Sequence, residues 1–252
     1  MTTMTIPALP RPVRKPKPEE AVELRTGDRL TQAEFHRRYE MTPEHVRAEL
    51  IRGIVYMASP VRATHGDPVA RIAALLVVYE ASTPGVRGST DATVILGEQS
   101  EPQPDVHLRI IPECGGRVRI NNAGYLAGAP EMVIEVAHSS EAIDLHAKRL
   151  DYADARVREY LVLCVRERML RAFDMATEKP LPIGDDGVFR SNVFPGLWID
   201  PAAVLDGDTP RLFQVLNDGL ATPQHAAFVK KLATKRVARE KKAKRPGGRR
   251  KS

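Results

Sequence analysis

Residues 130–140 read Pro-Glu-Met-Val-Ile-Glu-Val-Ala-His-Ser-Ser. The wider stretch GAPEMVIEVAH (128–138) holds a near-continuous apolar run, which predicts a strand buried on both faces within a sheet. One carboxylate, Glu135, interrupts the run. An ionised Glu in that setting needs a cation, a hydrogen-bond donor or a proton. Ser139 and Ser140 are placed to cap a following helix over 142–157. On that helix Asp144, Lys148 and Tyr152 recur at i, i+4 and i+8, close to one face. A buried strand carrying an acid and running directly into a helix carrying a lysine is the feature from which the rest of the chain is read.

Toward the N-terminus, TQAEFHRRY from Thr31 has the form of a capping box, with Thr31 and Glu34 three apart. Residues 41–50 suit a second short helix or the entry to a strand. LIRGIVYMASP (50–60) predicts a β-hairpin turning at Arg52-Gly53. From His65 to Ala81 the apolar residues Val69, Ile72, Ala73, Leu76 and Val77 follow a helical period, and Thr-Pro-Gly at 83–85 ends it. ATVILG (92–97) and QPDVHLRII (103–111) read as strands, and Gly115-Gly116 as a loop. Residues 158–175 predict two strands turning near Glu167, and 187–199 a further hairpin. A helix from Thr222 to about Lys244 has Thr222 at its cap and Pro223 at its first position. No repeat shows at a period of 20–50 residues. The alternation predicts an α/β domain with a mixed sheet flanked by helices over 29–221. Residues 1–28 read as a disordered, Pro-rich basic arm, and 222–252 as a basic helix and tail.

Composition narrows the function. The 252 residues are 42% apolar, enough for a sizeable core, and 28% charged, with no apolar run near the roughly 18 residues of a membrane span. Aromatics at 5% argue against a base-stacking platform. Cys114 and Cys164 have no CxxC spacing, which argues against a disulfide framework and a zinc knot. They suit a reducing compartment, and the N-terminus carries no secretory h-region, so a cytoplasmic protein is expected. The net charge of +6 is unevenly spread. Residues 229–252 carry +11 and residues 1–17 carry +4, which leaves the body between them at −9. The basic character belongs to the ends.

Four residues carry the chemistry. Asp105 follows Pro104 at a strand start, Glu135 lies in the buried strand, Lys148 follows on the helix, and Glu49 precedes the first hairpin. A divalent metal shared by Asp105 and Glu135 would resolve the cost of the buried acid, and hard oxygen ligands suit Mg²⁺ or Mn²⁺. Rival readings stand beside this one. Asp105 also suits a turn, Glu135 and Lys148 a structural salt bridge, Asp144 a helix cap, Tyr152 packing, and His65 a helix start. Asp105 and His107 share a strand face, and with His138 and His146 nearby a zinc site is conceivable. No HExxH spacing supports it. There is no GxSxG elbow and no phosphate-binding GxxxxGK[ST] loop; Cys164 reads as a small core residue.

In this order the motifs resemble the Uma-two-type restriction endonuclease family of the PD-(D/E)XK superfamily. The resemblance covers about residues 30–200: Glu49-Leu50 and its hairpin to Pro60, His65, Pro104-Asp105-Val106, Pro130 to Ser140, Asp144, Lys148, Tyr152, Arg158-Glu159-Tyr160 and Phe194-Pro195-Gly196-Leu197. It implies a restriction-endonuclease-like α/β fold in which Asp105 is the metal-binding Asp after Pro and Glu135 the acid of the (D/E)XK strand. Ala137 stands at the usual lysine position, so Lys148 from the helix is the matching lysine, and Glu49 the additional N-terminal acid. His138 departs from the serine often found there. The implied activity is Mg²⁺- or Mn²⁺-assisted hydrolysis of DNA phosphodiesters, with water attacking phosphorus in line. Nucleases of this kind often work as dimers, so a homodimer joins DNA among the expected partners. The alternatives are a catalytically silent nucleic-acid-binding module of the same fold and a metal-dependent hydrolase of another phosphate ester.

The tail KKLATKRVAREKKAKRPGGRRKS (230–252) reads as a phosphate-backbone contact through Lys230, Lys231, Lys235, Arg236, Arg239, Lys241, Lys242, Lys244, Arg245, Arg249, Arg250 and Lys251. The bland alternative is a solubilising tail. A membrane reading is weaker, because few bulky apolar residues interleave.

Overall fold

The computed structural model describes residues 23–138 and 140–243. The expected N-terminal arm as far as residue 22, the capping role of Ser139, and the tail positions Lys244, Arg245, Arg249, Arg250 and Lys251 lie outside the described residues.

In chain order the elements are α1 (Gln32–Tyr39), β1 (Ala48–Ile51), β2 (Ile54–Met57), α2 (Ala63–Ser82), β3 (Val86–Thr90), β4 (Val94–Ile95) and β5 (Val106–Ile110). A single 3₁₀ turn, Pro112–Cys114, precedes β6 (Arg119–Ile120), β7 (Leu126–Ala127) and β8 (Met132–Ala137). A π-helical segment, Ile143–Lys148, leads into α3 (Arg149–Asp154). Then come β9 (Glu159–Cys164), β10 (Met169–Asp174), β11 (Lys179–Pro180), β12 (Phe189–Arg190), β13 (Trp198–Ile199), α4 (Pro201–Asp206), α5 (Thr209–Leu220) and α6 (Pro223–Ala243).

The strand containing Glu135, β8, lies inside a six-stranded mixed sheet of order β11-β10-β9-β8-β5-β3. It pairs parallel to β9 and antiparallel to β5. Every residue of β8 and β9 is buried, as a strand covered on both faces requires. On one face Met132, Ile134 and Val136 join Ile72, Leu75 and Leu76 of α2 in the main core. On the other, Val133 and Ala137 pack with Tyr152, Tyr160 and Val162. The apolar side chains fill both layers, and the polar β8 side chain, Glu135, is left facing the second.

Local chemistry explains several boundaries. Thr31 caps α1 through its Oγ1, which accepts the Glu34 N–H at 3.3 Å. The Glu34 carboxylate does not complete a capping box; it turns to Arg37 and Arg38. Residues 41–47 form no helix and lead into β1. At the β1–β2 turn Arg52 (φ 50°) and Gly53 (φ 75°) are both left-handed, the requirement of a two-residue hairpin turn whose twist matches its strands. The strand expected over 92–97 shortens to β4, because the chain folds back and the Leu96 N–H donates to the Ser100 carbonyl. The hairpin expected over 187–199 keeps only its ends, β12 and β13, as a ladder. α4 and α5 have no counterpart in the sequence reading, although Asp200 before Pro201 and Asp208 before Thr209-Pro210 each cap a helix N-terminus. Both cysteines are free and buried. Among the described residues no helix is long and apolar enough to cross a membrane.

Candidate active site

Strand register brings the two central acids together. Val106 lies opposite Ile134 in the β5–β8 ladder, so Asp105 falls beside Glu135. The Val136 N–H donates to Asp105 Oδ2 at 2.7 Å, and the Asp105 N–H donates to Glu135 Oε2 at 3.2 Å. The sheet backbone thus orients both carboxylates. Glu49 arrives from β1, where its Oε1 accepts the Gln103 N–H at 2.7 Å.

Lys148 ends the π-helical segment, and its Nζ lies 3.0 Å from Glu49 Oε2, 3.2 Å from Glu135 Oε1 and 3.6 Å from Asp144 Oδ1. Ser140 does not cap the segment through its side chain; its hydroxyl donates to Asp144 Oδ2 at 2.6 Å, while its carbonyl accepts the N–H groups of Ile143 and Asp144. The Tyr152 hydroxyl donates to Glu135 Oε1 at 3.0 Å. From the first turn of α2, His65 Nε2 stands 3.2 Å from Asp105 Oδ1. Glu49, His65, Asp105, Glu135, Ser140, Asp144 and Lys148 line an open cleft of about 640 Å³, rimmed by Arg47, Arg62, His138 and Arg166.

Burial sets the electrostatics. It pushes the Glu135 carboxyl well above the ordinary range; Lys148 opposes this, while Asp105, Asp144 and Glu49 reinforce it. Burial likewise raises Asp144. Burial alone would push the Lys148 ammonium down, but Glu135, Glu49 and Asp144 outweigh it and hold Lys148 well above the usual lysine range. His65 is raised by its hydrogen bond to Asp105, against burial.

The donor set suits a hard cation. Around Lys148 and His65 four carboxylates (Glu49, Asp105, Glu135 and Asp144) gather, so with all four ionised negative charge is locally in excess, while Arg47, Arg62 and Arg166 stand at the rim. A divalent ion among carboxylate oxygens relieves that excess. The histidines do not assemble a zinc site. His107 shares the face of Asp105, but its Nε2 accepts from Arg109 Nη1 at 3.0 Å, and burial followed by the Arg109 charge drives its pKa down to about 3. His146 is exposed, while His138 is at the cleft rim. Among the described residues the one close trio of ligand-type atoms is Glu141, Cys164 and Glu167, which contains no histidine.

All four expected site residues therefore meet at the cleft. Asp144 and His65 join them, where the sequence favoured a cap and a helix start, while Tyr152 packs in the core as expected and also bonds Glu135. Asp144 carried a legible signal, four residues before Lys148. His65 carried a weaker one, its place in the motif order, because it is forty residues from Asp105 along the chain.

The family model Uma2, described as "Putative restriction endonuclease", matches residues 32–202, more than half of the chain. The chain belongs to the Uma2 family. The Uma2 assignment agrees with the fold. The chain is similar to a crystal structure titled as a putative nuclease belonging to DUF820 from Anabaena variabilis, with a TM-score of 0.56 and 14% identity. The likeness covers 70% of this chain and 98% of that one. No curated protein matches the chain. The Uma2 match spans Glu49, Asp105, Glu135 and Lys148 and stops before α5 and α6.

Proposed function

We propose that this Uma2 protein is a metal-dependent endonuclease that hydrolyses DNA phosphodiester bonds. The observation that carries the reading is the convergence of Asp105, Glu135 and Lys148 in one cleft. Asp105 and Glu135 are the residues that would hold Mg²⁺ or Mn²⁺. Such an ion supplies Lewis-acid stabilisation of charge on the phosphoryl oxygens and a lowered pKa for the attacking water.

The chain's own groups divide the remaining work. Lys148 stays an ammonium, so it donates to developing negative charge and does not serve as a base. Glu49 and Asp144 hold that ammonium from either side. Tyr152 fixes one Glu135 oxygen, and the Val136 N–H fixes one Asp105 oxygen. The main-chain bonds are part of the sheet, so the two carboxylates need little reorganisation on binding substrate.

The test is cleavage of supercoiled plasmid and single-stranded DNA with Mg²⁺ or Mn²⁺, an EDTA control, and Asp105→Ala and Lys148→Ala beside the wild type. Metal-dependent cutting is expected, with Lys148→Ala slowed on the order of 10²–10³ and Asp105→Ala at least as much. Cutting that survives Asp105→Ala sinks the site. Salt-sensitive binding without cutting favours the silent binding module, and hydrolysis of a small phosphodiester without DNA cutting favours the other phosphate-ester hydrolase.

A further inference from the structure

The C-terminal helix α6 is attached to the body at the end of the sheet away from the cleft. Its first turn is anchored by His225, whose Nε2 lies 3.0 Å from Thr83 Oγ1 and whose Nδ1 lies 2.9 Å from the Leu220 carbonyl. Leu232 is 1% exposed and belongs to the main core. Gly85 (φ 106°) lies beside it: a Cβ there would stand 2.6 Å from Cys114 Sγ, and 3.6 Å from Leu232 Cβ, an ordinary contact. Further along, Lys235 lies over Gly115, and Arg239 donates to the Pro112 carbonyl. All these contacts gather where β3 begins and β5 has ended. The cleft opens at the other end of the same ladder, where Thr90 pairs with Val106 and Asp105 precedes it in the chain. At about 3.3 Å per strand residue, the seven steps from Asp105 to Pro112 span up to about 23 Å. No residue of α6 lines the cleft.

Past Leu232 the helix has almost no core to cover. Lys230, Lys231, Lys235, Arg236, Arg239, Lys241 and Lys242 are all exposed, against one acid, Glu240. Arg236 pairs with that acid at 3.1 Å, and Arg239 is engaged by Pro112. Among the described residues the five lysines have no ion-pair partner. From Lys230 to Lys242 they cover about 18 Å of helix axis, a length over which a DNA duplex presents on the order of ten phosphates. Bulky apolar residues do not interleave with them as a membrane-seated helix requires; Val237 is the one exposed large apolar side chain on this stretch.

We propose that α6 is a second nucleic-acid contact, distinct from the cleft, which grips the phosphate backbone of duplex DNA through Lys230, Lys231, Lys235, Lys241 and Lys242. It tethers substrate without taking part in the chemistry. The choice of DNA as partner rests on the nuclease reading, but the binding is measurable without any cleavage.

The experiment uses the full chain with all five lysines changed to Gln, and a companion with all five changed to Arg. Binding of a labelled 40-base-pair duplex is followed in EDTA across a salt series. The Gln form is expected to bind at least tenfold more weakly at low salt, and its log K against log salt slope becomes shallower by about 0.9 for each phosphate that the lysines no longer neutralise. The Arg form retains affinity. With metal present, the Gln form raises KM for DNA, leaves kcat within twofold, and hydrolyses a small chromogenic phosphodiester at the wild-type rate. Wild-type affinity and slope in the Gln form overturn the proposal. A parallel fall in kcat, which would make α6 part of the cleft, overturns it too, as does capture by phosphatidylserine vesicles at a salt concentration where duplex no longer binds. Weakened duplex binding in the Gln form, with no cutting by the wild type, upholds α6 and sinks only the nuclease reading.

Discussion

Lys148 meets Glu49, Glu135 and Asp144 within 3.6 Å, a ratio of acids to cations that a buried site sustains only with a proton on an acid or a further cation. Millimolar Mn²⁺ or Mg²⁺ should therefore raise Tm in the wild type and leave Asp105→Ala unmoved; an ion at a hundred times its Kd contributes about 2.7 kcal/mol, which calorimetry resolves. Asp144 touches Lys148 and Ser140, and on the proposed function it is a positioning residue for the lysine. Asp144→Asn preserves its shape and removes its charge. It should lower kcat about tenfold, the order expected for a group acting through the lysine, leave KM for DNA unchanged and leave metal-induced stabilisation intact. Steady-state kinetics and thermal scans separate these effects. A fall in thermal stability with kcat unchanged would assign Asp144 to structure alone.

Among the strands, β9 opens with an acid that locks a distant turn. Glu159 accepts from the Ser191 hydroxyl and from the N–H groups of Asn192 and Val193, joining the sheet to the segment before β13. Burial raises its carboxyl above the ordinary range, against those three donors and Arg158. Its folded pKa therefore exceeds its unfolded one, near 4.5, and the folded chain keeps a proton that the unfolded chain has released. The contribution of Glu159 to stability is greatest below that window and falls as pH rises through it. Glu159→Ala leaves a hydroxyl and two amides without their acceptor and should cost about 2–4 kcal/mol. Glu159→Gln should lack the pH slope, so urea unfolding at about pH 4.5 and about pH 7 should show the wild type losing stability relative to Gln at the higher pH. The π-helical segment is the other decisive element. It delivers Asp144 and Lys148 together to the cleft, the kind of site where such segments recur.

Across the molecule, one face of the sheet carries α2 and the other carries the helix that follows β8, with the cleft at one end and α6 at the other. Leu232 ties α6 into the main core, and Lys235 and Arg239 extend its contact with the folded body to the 112–115 turn. Leu232→Ala should destabilise the chain by about 2–5 kcal/mol, read as a lowered urea midpoint, whereas changes at the exposed lysines of α6 should leave the midpoint within error.

The buried strand was legible before folding, because an apolar run as dense as Met132–Ala137 has to be covered on both faces. So were the hairpin at Arg52-Gly53 and the oddity of Glu135, since one carboxylate among apolar neighbours stands out in the bare sequence. Motif order singled out Asp105, Lys148 and Glu49, and the Uma2 match spans all three. Adjacency, by contrast, belongs to the folded chain. His65 reaches Asp105 because α2 starts at the mouth of the cleft, and His107, on the same strand face, is closed off by Arg109. The cap expected of Ser140 became a bond to Asp144, and α6 sits away from the cleft. Strand pairing and helix docking set these relations between residues far apart in the chain, through burial and register that no local spacing encodes.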